Sequence, residues 1–163
     1  PHTEHRTMFR KIDDTGPAIT MSQLKALEQR LGAPLPAEYS AFLLRYNGGS
    51  PTPDGVPVEG WADGGPILEV RELYHYRPRP MDTDDLLWNV ECFAGRMPEG
   101  LLPIGANSCG DQICLWITGA DRGAVVLWDH EAEHRPPTRR NIYAVARNFS
   151  EFLERIDEYP DAD

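Results

Sequence analysis

The sequence predicts a single α+β domain: a largely antiparallel β-sheet with an N-terminal helix pair and a C-terminal helix packed on it. Three observations carry this. Helical periodicity is confined to the first third of the chain, one short middle segment and the stretch after residue 147. From Leu101 to Ala146 the pattern changes to short apolar or β-branched runs broken by glycine. The chain has 163 residues, 40% of them hydrophobic, the size of one domain. Folding at that size buries roughly 68–70% of the surface an unfolded chain exposes, so the core needs neither a disulfide framework nor a structural metal. The expected boundaries are an N-terminal extension over 1–18, the domain over 19–158 and a tail over 159–163.

Each element has its own signal. Thr20 and Gln23 form a capping-box pair, and Met21, Leu24, Leu27 and Leu31 follow at helical spacing until Gly32. Pro36 suits the first turn of a second helix, whose apolar stripe is Tyr39, Phe42, Leu43 and Tyr46 before Gly48-Gly49. Residues 50–66 are rich in proline and glycine and read as a loop or very short edge strands. Ile67 to Tyr76 contains a strand, stopped by Arg77-Pro78-Arg79-Pro80. Asp82 is placed to cap a third helix, with Asp84 and Asp85 in its first turn and Leu86, Val90 and Phe93 as its buried stripe. Strands are expected at Leu101–Ile104, Gln112–Ile117, Ala124–Trp128 and Ile142–Ala146, with a hairpin turn over Gly119–Gly123. Asn148 or Ser150 opens a final helix bearing Phe149, Phe152, Leu153 and Ile156.

Charge separates the function classes. Sixteen bases against twenty-six acids give a net −10, and the excess lies beyond residue 50. Such a chain carries no electrostatic footprint for nucleic acid and is repelled by an anionic membrane surface. The longest apolar run, Ala124 to Trp128, is far short of a bilayer span. Cys92, Cys109 and Cys114 form a sparse, odd set, and the segment before Met8 lacks an apolar stretch. Both features lead to the expectation of a cytoplasmic protein without a secretory signal. The natural complement of this charge is a basic protein partner.

One catalytic motif is present in letters. His130-Glu131-Ala132-Glu133-His134 fits H-E-x-x-H, in which two histidines on a helix bind zinc and the glutamate acts as general base. Its setting disagrees: a strand ends at Trp128, Pro136-Pro137 follows His134, and no third histidine lies downstream. Phosphate loops, the G-x-S-x-G elbow, the deaminase pattern and zinc or redox cysteine spacings are all missing. The expectation is therefore a protein that is not an enzyme and holds neither metal nor cofactor.

Two blocks of sequence resemble the SUKH superfamily, which includes bacterial immunity proteins and a fungal regulator of cell-wall synthesis. The first is Ile19-Thr20 with Leu24, Leu27 and Glu28, then Leu35-Pro36, Tyr39, Phe42-Leu43 and Tyr46-Asn47-Gly48-Gly49. The second is Leu102-Pro103-Ile104-Gly105, Gly110-Asp111-Gln112-Ile113-Cys114-Leu115, Gly123-x-Val125-x-x-Trp128-Asp129-His130-Glu131 and Phe149-x-x-Phe152-Leu153. The resemblance spans about 19–156 and makes Trp-Asp-His-Glu a strand-end motif rather than a zinc site. It implies a non-catalytic α+β protein that neutralises a cognate toxin, often a nuclease, by tight association. The alternatives are a scaffold or regulatory interaction protein and a zinc hydrolase using His130, Glu131 and His134.

The expected contact surface for a basic toxin domain is acidic: Asp82, Asp84 and Asp85 at a helix start, Glu131 and Glu133 after a strand, and Asp54, Glu59 and Asp63 in the Pro/Gly-rich loop. Tyr39, Phe42, Trp128 and Asp129 are expected to serve the fold.

Overall fold

The computed structural model describes residues 11–61 and 65–159. In chain order the first half holds β1 (Lys11–Asp13), α1 (Met21–Leu31), α2 (Ala37–Arg45), β2 (Ser50–Thr52), β3 (Gly55–Pro57), β4 (Ile67–Glu69) and β5 (Glu72–Leu73). The second half holds α3 (Leu86–Cys92), β6 (Leu101–Ala106), β7 (Gln112–Trp116), β8 (Val125–Trp128), a single 3-10 turn at His130–Ala132, β9 (Ile142–Ala146) and α4 (Phe149–Arg155). This is an α+β domain with antiparallel sheets.

The frame is a five-stranded antiparallel meander, β5-β6-β7-β8-β9. Its register places Ile113 opposite Leu127 and Leu115 opposite Val125. Side chains alternate between faces along a strand, and here both faces are buried. One face carries Leu102, Ile104, Ile113, Leu115, Val125 and Leu127 into the main core, beneath α1, α2 and α4. The other carries Leu101, Cys114, Trp116, Val126 and Trp128, which join Met97 and Phe93 in a second, smaller cluster. The near-continuous apolar runs of β6, β7 and β8 follow from this burial, because neither of their faces meets water.

The helices start and stop for local reasons. The Thr20 hydroxyl accepts from the Gln23 N–H at 3.1 Å, and the Gln23 side chain accepts from the Thr20 N–H at 2.9 Å. The Gly32 N–H returns to Glu28 and Gln29 with φ of 78°, the left-handed conformation glycine tolerates. Asn148 caps α4 through the Glu151 N–H. Phe149 then packs against Tyr39 and Phe42 of α2, with ring centroids 5.2 and 5.1 Å apart. Edge-on aromatic pairs of this kind add to the area they bury.

The stretch Ile67 to Tyr76 contains the expected strand, β4, and a second one, β5. The Val70 N–H goes to Asp54 and the Arg71 N–H to Ala106, so the chain leaves the β3–β4 hairpin and enters the main sheet between these residues. Lys11–Asp13, assigned to the N-terminal extension, pairs with Ser50–Thr52. The third helix begins at Leu86 rather than near Asp82, which removes Asp84 and Asp85 from its first turn.

Candidate partner-binding surface

At one end of the meander, a pocket of about 280 Å³ opens between the β6–β7 turn, the end of β8 and the β3–β4 hairpin. The β6–β7 turn is organised by Asn107. Its Oδ1 accepts from the N–H groups of Cys109 and Asp111, and its Nδ2 donates to Asp111 at 2.9 Å. The second Asp111 oxygen accepts from the His130 N–H at 3.1 Å, joining this turn to the segment after β8. Asp129 adds the third segment: it accepts from the Glu131 N–H at 2.9 Å and from the Trp61 indole at 3.2 Å. Asp111 and Asp129 are therefore buried carboxylates spent on holding the pocket in shape. Glu69 lines the wall while accepting from the Ser108 N–H and hydroxyl, and Glu131 is exposed at the rim. The wall thus carries Glu69, Asp111, Asp129 and Glu131 around Trp61, and among the described residues none of its lining side chains is basic.

The acids expected on one face separate into groups. Glu131 lies at this pocket, and exposed Glu59 lies two residues from Trp61 on the hairpin. Asp54 is exposed beside β3, and Asp63 lies outside the described residues. Asp82 and Asp84 belong to a turn beyond the β5 edge. Asp84 lines a different cavity, with Glu72 and His75, so this turn and the pocket form two patches rather than one. Beside that turn, Met81 and Trp88 are 79% and 41% exposed, the kind of apolar side chains that anchor an interface.

Two expected contact residues face inward. Asp85 is fully buried. It bonds Arg77 and accepts from the N–H groups of Met81 and Asp82 at 2.5 and 2.9 Å. Burial pushes its carboxyl up, but those N–H groups and the guanidinium more than offset this, leaving it below the usual carboxylate range. Glu133 is held by Arg96 in a two-pronged pair at 2.8 and 3.1 Å. Hydrogen bonding to this guanidinium lowers the Glu133 carboxyl. Arg96 in turn lies over the rings of Phe93 and Trp128 at 4.8 and 5.8 Å, so Glu133 braces the lid of the smaller core. The Asp85 and Glu133 carboxylates thus have partners inside the molecule.

The H-E-x-x-H letters do not form a metalloprotease helix. His130 to Ala132 make one 3-10 turn, and Glu133 is extended with ψ of 135°. The two histidines therefore do not stack at i and i+4 on one helix face. Tyr39, Phe42, Trp128 and Asp129 are all buried. Sequence reasoning passed over Trp61, Asn107 and Arg96. A tryptophan within a Pro/Gly-rich loop was the one visible signal for the first.

Comparison with known proteins agrees with this architecture. The pattern of the SMI1 / KNR4 family (SUKH-1) matches residues 18–155, and the chain belongs to this family. A relative from Bacillus subtilis (strain 168), "SPbeta prophage-derived uncharacterized protein YokK", is 29% identical over 158 residues, covering 88% of this chain and 78% of the relative. Membership supports an immunity-like or regulatory role, and the family is generally non-catalytic.

Proposed function

We propose that this SUKH-1 member is an immunity protein that neutralises a basic toxin domain by tight association. The observation that carries the reading is the strand-end pocket: four carboxylates and an indole line it, with no basic side chain among the described residues of the wall. A protruding lysine or arginine of the partner would find charge, hydrogen-bond acceptors and an aromatic face together. The exposed acids around it, Glu131 and Glu59, would steer the encounter, while Trp88 and Met81 offer apolar anchors at the second patch.

Neutralisation demands strong binding, because one free toxin molecule turns over many substrates. Nanomolar affinity corresponds to about −12 kcal/mol and picomolar to about −16 kcal/mol. The test is co-purification with the product of the adjacent gene, followed by association kinetics against ionic strength. Glu59→Lys with Glu131→Lys should slow association and flatten its salt dependence. The same charge change at exposed Glu154 on α4 should act far less. Equal effects at both places, or no complex with the adjacent product, would overturn the reading.

A further inference from the structure

On the outer side of β5 lies a different cavity, of about 270 Å³, whose lining includes Asp14, Ser50, Glu72, His75 and Asp84. His75 is more than nine-tenths buried, its side chain only 9% exposed. Its Nε2 lies 2.6 Å from the Asp14 carbonyl oxygen. A carbonyl oxygen only accepts, so Nε2 carries the proton and the neutral ring presents a lone pair at Nδ1. Among the described residues that Nδ1 has no hydrogen-bond partner, and neither has Asp84 Oδ1. Nδ1 faces Asp84 Oδ2 across 3.5 Å. Two electron-pair donors meet there, and the arrangement asks for a cation between them.

Distance selects among the candidates. A proton on Nδ1 would form a charge-assisted bond, which closes to about 2.7–2.9 Å; 3.5 Å is too long for it. The nearest guanidinium is committed elsewhere: Arg77 bonds Asp85 and stays 4.0 Å from Asp84. A tetrahedral zinc with nitrogen and oxygen ligands at about 2.0–2.2 Å holds adjacent donors about 3.4 Å apart, close to the observed separation. The imidazole is also oriented as metal-binding histidines are, with its other N–H given to a backbone carbonyl. A Cβ on Gly48 would lie 2.7 Å from His75 Cδ2, so glycine there lets the backbone close on the ring and fix it.

We propose that His75 Nδ1 and the Asp84 carboxylate bind a divalent transition-metal ion of the zinc class, with Glu72 as the further acid in the cavity. Asp85 lies within reach, since its carboxylate and those of His75 and Asp84 offer atoms all within 4.8 Å of one another. Its pairing with Arg77 keeps it as a neighbour rather than a ligand. This site is separate from the partner-binding pocket and stands whether or not a toxin is bound.

The experiment titrates Zn²⁺ into the full chain against a chromophoric competitor. A His2→Ala/His5→Ala/His134→Ala background removes three of the other imidazoles and breaks the H-E-x-x-H letters. One equivalent should bind per chain in that background. His75→Ala should abolish binding, and Asp84→Asn, at a half-exposed position that spares the fold, should weaken it at least about tenfold. Co²⁺ in place of Zn²⁺ should give a visible spectrum without a thiolate charge-transfer band. Absence of saturable binding, binding indifferent to Asp84→Asn, or a thiolate band would each overturn the assignment.

Discussion

The side chain of Asn47 pairs with both edges of the Tyr76 backbone: Oδ1 accepts from the Tyr76 N–H at 2.7 Å, and Nδ2 donates to the Tyr76 carbonyl at 2.9 Å. The same Nδ2 donates to Pro17 at 2.8 Å, and the Asn47 carbonyl accepts from Gly16. Asn47 is buried with φ of 51°, a left-handed conformation that asparagine adopts more readily than most residues. One amide thus ties the end of α2, the segment before α1 and the strand that leads to the Asp82–Asp85 turn.

Asn47→Ala should therefore lower stability by about 3 kcal/mol, since it orphans several buried backbone groups and removes the amide that makes the left-handed conformation tolerable. Asn47→Gly relieves the backbone but not the lost bonds, and should recover only part. Chemical denaturation of both variants checks this. A loss under about 1 kcal/mol for the alanine form would contradict it.

Trp128→Ala and Tyr39→Ala should each cost about 3–5 kcal/mol, because both side chains are 1% exposed and fill their clusters. Tyr39→Phe should behave oppositely. The Tyr39 hydroxyl is buried without a hydrogen-bond partner among the described residues, so its removal should be neutral or raise stability by about 1 kcal/mol. A sharply lower melting temperature for Tyr39→Phe would assign the hydroxyl a role. Full stability with lost partner binding in Trp128→Ala would assign the indole to the interface.

Alkaline pH should unfold the chain for an identifiable reason. Burial raises the phenols of Tyr39 and Tyr74 well above their ordinary range. The unfolded chain releases these protons near pH 10, at about the ordinary value of a free phenol, while the folded chain retains them. Stability is thus intact below about pH 10 and falls as pH rises beyond it. Phenolate absorbance should show Tyr39 and Tyr74 titrating only together with unfolding. A fully reversible titration of every tyrosine in the folded chain would refute this.

The Arg96–Glu133 pair should couple by about 1 kcal/mol in a double-mutant cycle, the upper range for partly exposed pairs. The Arg96 bond lowers the Glu133 carboxyl in the folded state. Its contribution is therefore present above the ordinary glutamate range and is lost as pH falls through the depressed value. Arg96→Ala should also loosen Trp128, visible as a change in indole fluorescence. No coupling at neutral pH would make Glu133 available for contact after all.

Local signals and long-range contacts were unequally legible. The α1 cap needs only residues three apart, and the β7 and β8 runs announce themselves by composition, so these could be read directly. The acids at 82, 84 and 85 each suited a helix cap by type. What chose among them was tertiary: Arg77 and two backbone N–H groups draw Asp85 inward, and the helix starts after it. The pocket joins Trp61 to Asp129 across 68 positions, and His75 meets Asp84 only because the Arg77–Pro80 segment turns the chain back. No periodicity encodes such meetings. The acidic excess was visible as a number, but its division into two patches depends on sheet order.

The meander also dictates an order of assembly. Strands β6, β7 and β8 each pair with the next along the chain across short connections, so closing those loops sacrifices little chain entropy. The remaining ties span long stretches: Gly55 exchanges two backbone hydrogen bonds with Asp157, and β1 reaches across both helices to β2. The expected folding nucleus is accordingly β6 through β8, with the helices and the two chain ends condensing on it later. Amide exchange should then be slowest in β7 and β8, and the first units to open should be the ends clasped at Gly55 and Ser50. A partner gripping the β3–β4 hairpin would hold that late-closing seam shut and slow the unfolding of the whole domain.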